Sequence, residues 1–172
     1  YVADARDREL GVLRMLRDVM PQHPHIANMI EALGDASGPH MHAVLEYAEG
    51  GSLKRHLEQM KGESGMAPPL VAVATSQLAS ALHHLHSLDV AHRDVKPANV
   101  LLTSREPVAE TRSLHLKLCD FGFACICGDR KLKTHCGTPL YLAPEIVEPL
   151  DARKGYLGRP VDMWALGCLV YE

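Results

Sequence analysis

No stretch of this 172-residue chain is apolar for the roughly 20 residues that crossing a bilayer requires, and Tyr1 opens a charged helical pattern rather than a signal sequence. No long run of either charge is present. Lys and Arg number 18 against 21 Asp and Glu, a formal net charge of −3, which disfavours nucleic acid as a partner. The five cysteines, Cys119, Cys125, Cys127, Cys136 and Cys168, are an odd number without Cys-x-x-Cys spacing, as suits reduced thiols in an intracellular protein. Internal repeats and low-complexity tracts are also missing. The expectation is a cytoplasmic or nuclear protein with no membrane partner, folded as one domain or a large piece of one.

What is present is a composition 47% hydrophobic and 23% charged, enough apolar sequence to bury a core. Leu10, Leu13, Leu16 and Val19 recur at three-residue steps with Val12 beside them, so an amphipathic helix is expected over 3–19, ended by Pro21 and Pro24. Residues 26–33 and 41–47 read as strands joined by the turn-rich stretch from Gly34 to Pro39. Ser52 follows Glu49-Gly50-Gly51 and is suited to cap a short helix carrying Leu53 and Leu57, and 61–67 reads as loop. Pro68-Pro69 opens a longer helix in which Val71, Ala74, Leu78, Ala81, Leu82, Leu85 and Leu88 keep the helical period. A second hairpin is expected from 100–102 and 114–118 around a polar loop at 103–113. The nearly continuous apolar run 161–170, around Asp162 and Trp164, suggests a helix at the centre of the domain.

Three motifs follow one another in the second half. His92-Arg93-Asp94-Val95-Lys96-Pro97-Ala98-Asn99 comes first, then Asp120-Phe121-Gly122, then Ala143-Pro144-Glu145. The first alone fixes five identities, a chance match on the order of 10⁻⁴ or rarer in a chain this long. On these residues the chain resembles the eukaryotic protein kinases from about Glu9 to its last residue. The resemblance implies an α+β fold of the two-lobed protein-kinase type, here incomplete. Residues 1–48 would be a partial small lobe with a helix, two strands and a hinge. Residues 49–172 would be a partial large lobe with catalytic loop, metal-binding loop and activation segment.

By that resemblance Asp94 orients the substrate hydroxyl and takes its proton, Asn99 holds one Mg²⁺, and Asp120 holds the metals from the opposite side. Mg²⁺ takes a few hard oxygens and keeps several waters, so a carboxylate and an amide oxygen completed by ATP phosphates suffice. Lys96 would set its ammonium on the transferring phosphate. With Gly137-Thr138-Pro139 it is similar to the serine/threonine branch, Thr138 being expected to hydrogen-bond both Asp94 and Lys96. Leu45-Glu46-Tyr47-Ala48 resembles the hinge, where side chains matter little: the backbone of Glu46 and Ala48 would bind adenine, Leu45 would back the pocket, Leu101 would close it from below, and Ser52 would touch the ribose. Leu13, Met29, His92 and Phe121 match the stack that joins the lobes and rests on Asp162, which makes His92 a packing residue rather than a proton carrier. Glu145 would be a structural anchor. Thr134 occupies the activation-segment position commonly phosphorylated by an upstream activating kinase, and its phosphate would meet Arg93, with Arg130, Lys131 or Lys133 near it. The substrates implied are ATP and the Ser or Thr hydroxyls of proteins.

Glu9 heads Glu9-Leu10-Gly11-Val12-Leu13-Arg14, which is similar to the helix whose Glu pairs with the lysine that clamps the α- and β-phosphates. Here the chain departs from the family. The strand bearing that lysine and the glycine-rich loop would precede Tyr1, and the arginine that pairs with Glu145 would follow Glu172, so a fragment with little activity of its own is expected. A solvated helical Glu is the plain alternative for Glu9. The sequence around Gly155-Tyr156 and Asp162-Met163-Trp164-Ala165-Leu166-Gly167 looks closest to the calmodulin-dependent and related kinases. Two rival classes stand beside the enzyme reading: a non-catalytic kinase-like interaction module, and a small-molecule phosphotransferase of related fold, which would not need Gly137-Thr138-Pro139 or Ala143-Pro144-Glu145. His83, His84 and His86 read as helix-surface or packing residues. Cys125, Cys127, His135 and Cys136 share one loop as an alternative metal site without recognised ligand spacing.

Overall fold

Pro68 and Pro69 occupy the first turn of the longest helix, where a missing N–H costs nothing and a fixed φ favours helical entry. A computed structural model describes residues 2–18, 22–33, 42–60, 66–105, 113–147 and 155–172. The stretch from Gly34 to Pro39, together with Val19, Pro21, Met41, residues 61–65 and residues 106–112, lies outside the described residues.

The element order is α1 (Val2–Asp18), β1 (Met29–Leu33), β2 (His42–Leu45), β3 (Gly51–Ser52), α2 (Leu53–Gln59), α3 (Pro68–Ser87), β4 (Val90–Ala91), β5 (Val100–Leu102), β6 (Leu116–Leu118), β7 (Cys125–Ile126), α4 (Pro144–Val147) and α5 (Gly158–Tyr171). Short 3₁₀ turns at Pro97–Asn99 and Pro139–Tyr141 precede β5 and α4. The strands pair antiparallel as β1–β2, β3–β5–β6 and β4–β7. Mixed helix and short sheets make this the α+β architecture expected.

The first two strands are shorter than the sequence suggests. Ile26 makes only a single parallel bridge to Leu118, with Ala27 N–H donating to the Leu118 carbonyl at 2.8 Å, and the ladder with β2 begins at Met29. Loop 22–28 is thereby tied to β6 at Ile26 and Ala27, and it meets the hairpin only at Asn28, whose carbonyl accepts from the Glu46 amide just past β2. Ser52 caps α2 as expected, its hydroxyl accepting from the Arg55 amide at 3.3 Å.

The core gathers Val12 and Leu13 of α1, Met29 of β1, Leu78, Leu82 and Leu85 of α3, the strands β5 and β6, and Leu166 and Leu169 of α5. The helix expected at the centre of the domain, α5, is buried on one side only. Val161, Asp162, Ala165, Leu166 and Leu169 are buried, but Trp164 is 48% exposed, and Met163 and Tyr171 are exposed with it. A helix buries only the faces its neighbours cover, and among the described elements α3, β4 and the 139–141 turn lie against this one.

Where loop 22–28 meets α3, histidines pack ring to ring. His23 stacks on His84 at 5.1 Å between centroids and meets His25 edge-on at 5.7 Å, while His25 lies 4.8 Å from His115. His23 Nδ1 accepts from the His25 amide and its Nε2 lies 3.1 Å from the Ser80 hydroxyl. Burial first, then the neighbouring His84, His25 and Lys117, hold its pKa down to about 4. The unfolded chain therefore binds more protons here near pH 5, so this histidine's contribution to stability is complete above about 6.5 and is lost as pH falls toward 4. Urea unfolding of His23→Gln is expected to show a flatter loss of stability from pH 6.5 to 4 than wild type. Parallel curves would refute the assignment.

Candidate active site

Asp94 sits after β4 in a loop whose residues from His92 to Asn99 are buried or half-buried, its carboxylate enclosed by Lys96 and Asn99 of the same loop and by Thr138, 44 residues further on. Lys96 Nζ donates to Oδ2 at 2.6 Å, Asn99 Nδ2 donates to the same oxygen at 2.9 Å, and the Thr138 hydroxyl donates to Oδ1 at 2.8 Å. Lys96 Nζ also donates to Thr138 Oγ1 at 2.8 Å. The expected bridge of Thr138 between Asp94 and Lys96 is thus present. It needs Gly137, whose φ of +111° and approach to the Arg93 carbonyl, 2.8 Å from where a Cβ would stand, exclude any side chain.

The loop is shaped from beneath by Asp162. Buried on α5, it accepts from the amides of His92 at 2.9 Å and Arg93 at 2.7 Å, and from His86 Nε2–H at 2.9 Å. Arg93 is held at φ +65°, a costly conformation for a non-glycine residue that its surroundings must enforce. His92 is completely buried, which lowers its pKa and keeps it neutral. Its Nδ1 accepts from the Asp94 amide at 3.3 Å, so Nε2 carries the proton donated to the Cys119 carbonyl at 3.1 Å. The His92 ring lies 5.1 Å from that of Phe121, and Leu13 and Met29 join Phe121 in the core, as the packing reading required.

Asp120 comes alongside because the Cys119 amide donates to the Asn99 carbonyl at 2.9 Å. It too has positive φ, +63°, and its Oδ1 accepts from the Gly122 amide at 3.2 Å. Asn99 spends its amide nitrogen on Asp94, both on the backbone carbonyl and on Oδ2, which leaves its amide oxygen as the atom for a cation. A carboxylate beside an amide oxygen is a hard-oxygen donor set that suits Mg²⁺. Glu9 reaches the same place. A Cβ on Gly122 would lie 3.2 Å from Asp120 Oδ1 and 3.9 Å from Glu9 Oε2, and burial and then Asp120 raise the Glu9 pKa. Among the described residues no cation pairs with Glu9.

At the hinge the sequence reading needs a correction, because the Glu46 side chain is structural. Lys117 Nζ donates to both its carboxylate oxygens, at 2.7 and 2.9 Å, and the Asn28 amide donates to Oε1 at 2.7 Å. These bonds, with the Glu46 amide on the Asn28 carbonyl, fix the hinge to β6 and to loop 22–28. Leu45 is 39% exposed at the end of β2, Ala48 is half-buried, and Leu101 pairs with Ser52 across β3 and β5. The Ser52 hydroxyl caps α2, so the ribose contact expected of it competes with a helix cap. Glu145 is half-buried on α4 and has no hydrogen-bond or ion-pair partner among the described residues.

Arg93, expected to meet a phosphate on Thr134, is already engaged within the fold. It is 6% exposed, donates from Nε to the Phe123 carbonyl at 2.7 Å and from Nη1 to the Tyr156 hydroxyl at 3.4 Å. Thr134 is exposed, and Arg130 donates to the Ile126 carbonyl. Among the described residues no three His, Cys, Asp or Glu side chains are arranged to hold a metal, Cys125, Cys127, His135 and Cys136 included. Sequence reasoning missed His86, Tyr156 and Lys117 as structural partners. For His86 a signal existed: it follows Leu78 and Leu82 at four-residue steps, on the face α3 buries.

The chain matches the family model described as the protein kinase domain over residues 4–172. It is similar to the probable serine/threonine-protein kinase fhkD of Dictyostelium discoideum, 36% identical over 96% of this chain and 21% of the relative. CBL-interacting protein kinase 28 of Oryza sativa subsp. japonica is 34% identical over 95% of this chain and 33% of its own length. The serine/threonine-protein kinase fused of Drosophila melanogaster is 39% identical over 96% of this chain and 19% of its own length. The chain therefore spans between about a fifth and a third of these curated relatives.

Proposed function

The chain belongs to the protein kinase family, and from that we propose that the protein transfers the γ-phosphoryl group of ATP to Ser and Thr hydroxyls of proteins. The observation that carries this reading is the enclosure of Asp94 by Lys96, Asn99 and Thr138. A carboxylate held this way is preorganised to accept a hydroxyl proton, and phosphoryl transfer asks mainly for positioning and charge neutralisation. Lys96 is the cation beside the base. Asn99 and Asp120 would hold Mg²⁺, which would supply the positive charge that offsets what develops on the transferring phosphate. The backbone of Glu46 and Ala48 would receive adenine between Leu45 and Leu101, with Ser52 beside the ribose.

Thr138 ties the peptide-facing segment to the base, which supports a protein hydroxyl over a small alcohol as acceptor. The serine/threonine kinase names of the relatives support the same choice. Regulation by an upstream activating kinase acting on the exposed Thr134, and a cytoplasmic or nuclear location, belong to this reading. Among the described residues no helix is long and apolar enough to cross a membrane.

Incubation of the full-length protein with radiolabelled ATP and Mg²⁺ is expected to label Ser and Thr residues of a protein acceptor. Labelling of a small alcohol alone would favour a small-molecule phosphotransferase. Retention of ATP without any transfer would favour a non-catalytic module.

A further inference from the structure

Tyr156 is 2% exposed, just before α5, and its hydroxyl reaches into the activation segment. It donates to the Thr134 carbonyl at 2.6 Å, accepts from Arg93 Nη1 at 3.4 Å, and lies 3.9 Å from Cys136 Sγ. Its backbone forms an antiparallel bridge with Leu132, with N–H···O distances of 2.9 and 2.7 Å. That close approach requires Gly155, at φ +56°, where a Cβ would come within 2.7 Å of the Leu132 carbonyl. Burial pushes the phenol up to about 12, so it stays neutral and keeps the proton it donates.

These contacts connect two parts of the site by one path. Asp162 holds the Arg93 amide, the Arg93 guanidinium holds Tyr156, and Tyr156 holds residue 134, only four residues before the Thr138 hydroxyl that bonds Asp94. A phosphate on Thr134 would meet an arginine two of whose five N–H groups already serve Phe123 and Tyr156.

We propose that Tyr156 is a positioning residue: its hydroxyl, bridging Arg93 and the Thr134 carbonyl, holds the activation segment against the catalytic loop while Thr134 is unmodified. The kinetic consequence rests on the kinase reading above, whereas the ordering consequence does not. The segment uses the carbonyl of residue 134, which any residue supplies, so the threonine side chain is dispensable for this order.

The test compares wild type, Tyr156→Phe and Thr134→Ala in the full-length protein, with Thr134 shown by mass spectrometry to be unphosphorylated. Tyr156→Phe keeps the buried ring and removes only the hydroxyl. Hydrogen exchange of amides 132–138 is expected to quicken about tenfold, the scale of one buried hydrogen bond. In the same variant kcat should fall roughly five- to tenfold with KM for ATP within about twofold, because the nucleotide residues lie elsewhere. Thr134→Ala should match wild type within about twofold in both readouts. Unchanged exchange and kcat in Tyr156→Phe would overturn the proposal, and so would a loss in Thr134→Ala as large as that in Tyr156→Phe. Should wild type transfer no phosphate at all while Tyr156→Phe still exchanges faster, the kinase reading would fail and the ordering role would stand.

Discussion

Asp94→Asn in the full-length protein is expected to lower kcat for phosphoryl transfer by about 10²–10⁴-fold, the range over which a positioned general base acts. The substitution is nearly isosteric and keeps one oxygen for the Thr138 hydroxyl. It removes the anion that Lys96 and Asn99 address at Oδ2, 2.6 and 2.9 Å away. An amide cannot take the hydroxyl proton, so the loss should fall on kcat, with ATP binding within a few-fold of wild type. Steady-state transfer to a peptide checks the first part, and calorimetric titration with Mg-ATP checks the second. Transfer at an undiminished rate would remove Asp94 from the chemistry. An equal loss of ATP binding would mean that the carboxylate holds the site together and does not act on the acceptor.

The second large effect is on stability. Asp162→Ala strands two buried amides, those of His92 and Arg93, and the Nε2–H of His86. Each buried donor left without an acceptor costs about 1–3 kcal/mol, so the variant should lose roughly 3–5 kcal/mol. That is a large part of the 5–15 kcal/mol typical of a folded domain. The cost is high because the same carboxylate enforces the positive φ of Arg93, and with it the direction in which the loop carries Asp94. His86→Ala, which removes one bond to the carboxylate and leaves both amides served, is expected to cost only about 0.5–1.5 kcal/mol. Urea midpoints of the two variants decide the matter: equal shifts, or none for Asp162→Ala, would contradict the role given to this residue.

Much of the site was legible because its parts lie close together in the chain. Asp94, Lys96 and Asn99 fall within six residues, so their types and spacing already describe one loop. The helical period of α3 and the cap at Ser52 were legible for the same reason, since both act over a few residues. The misreadings have a different cause. Glu46 read as a backbone position because its side-chain partner Lys117 is 71 residues away, and nothing near either residue marks the pair. The central place expected of α5 was met on one face only, because apolar sequence states what a helix could bury, while its neighbours decide what it does bury.

The sequence by itself determined the family, the fold class, the helices α1, α2, α3 and α5 and the order of the motifs, because local periodicity, capping and short motifs draw on interactions between residues near in number. Only the tertiary structure decided that Arg93 bonds Tyr156, that the Tyr156 hydroxyl bonds the Thr134 carbonyl, and that His86 completes the support of the catalytic loop. Those bonds join positions 22 to 76 residues apart. A hydrogen bond forms where the folded backbone brings donor to acceptor, and no pattern along the chain records where two distant segments meet.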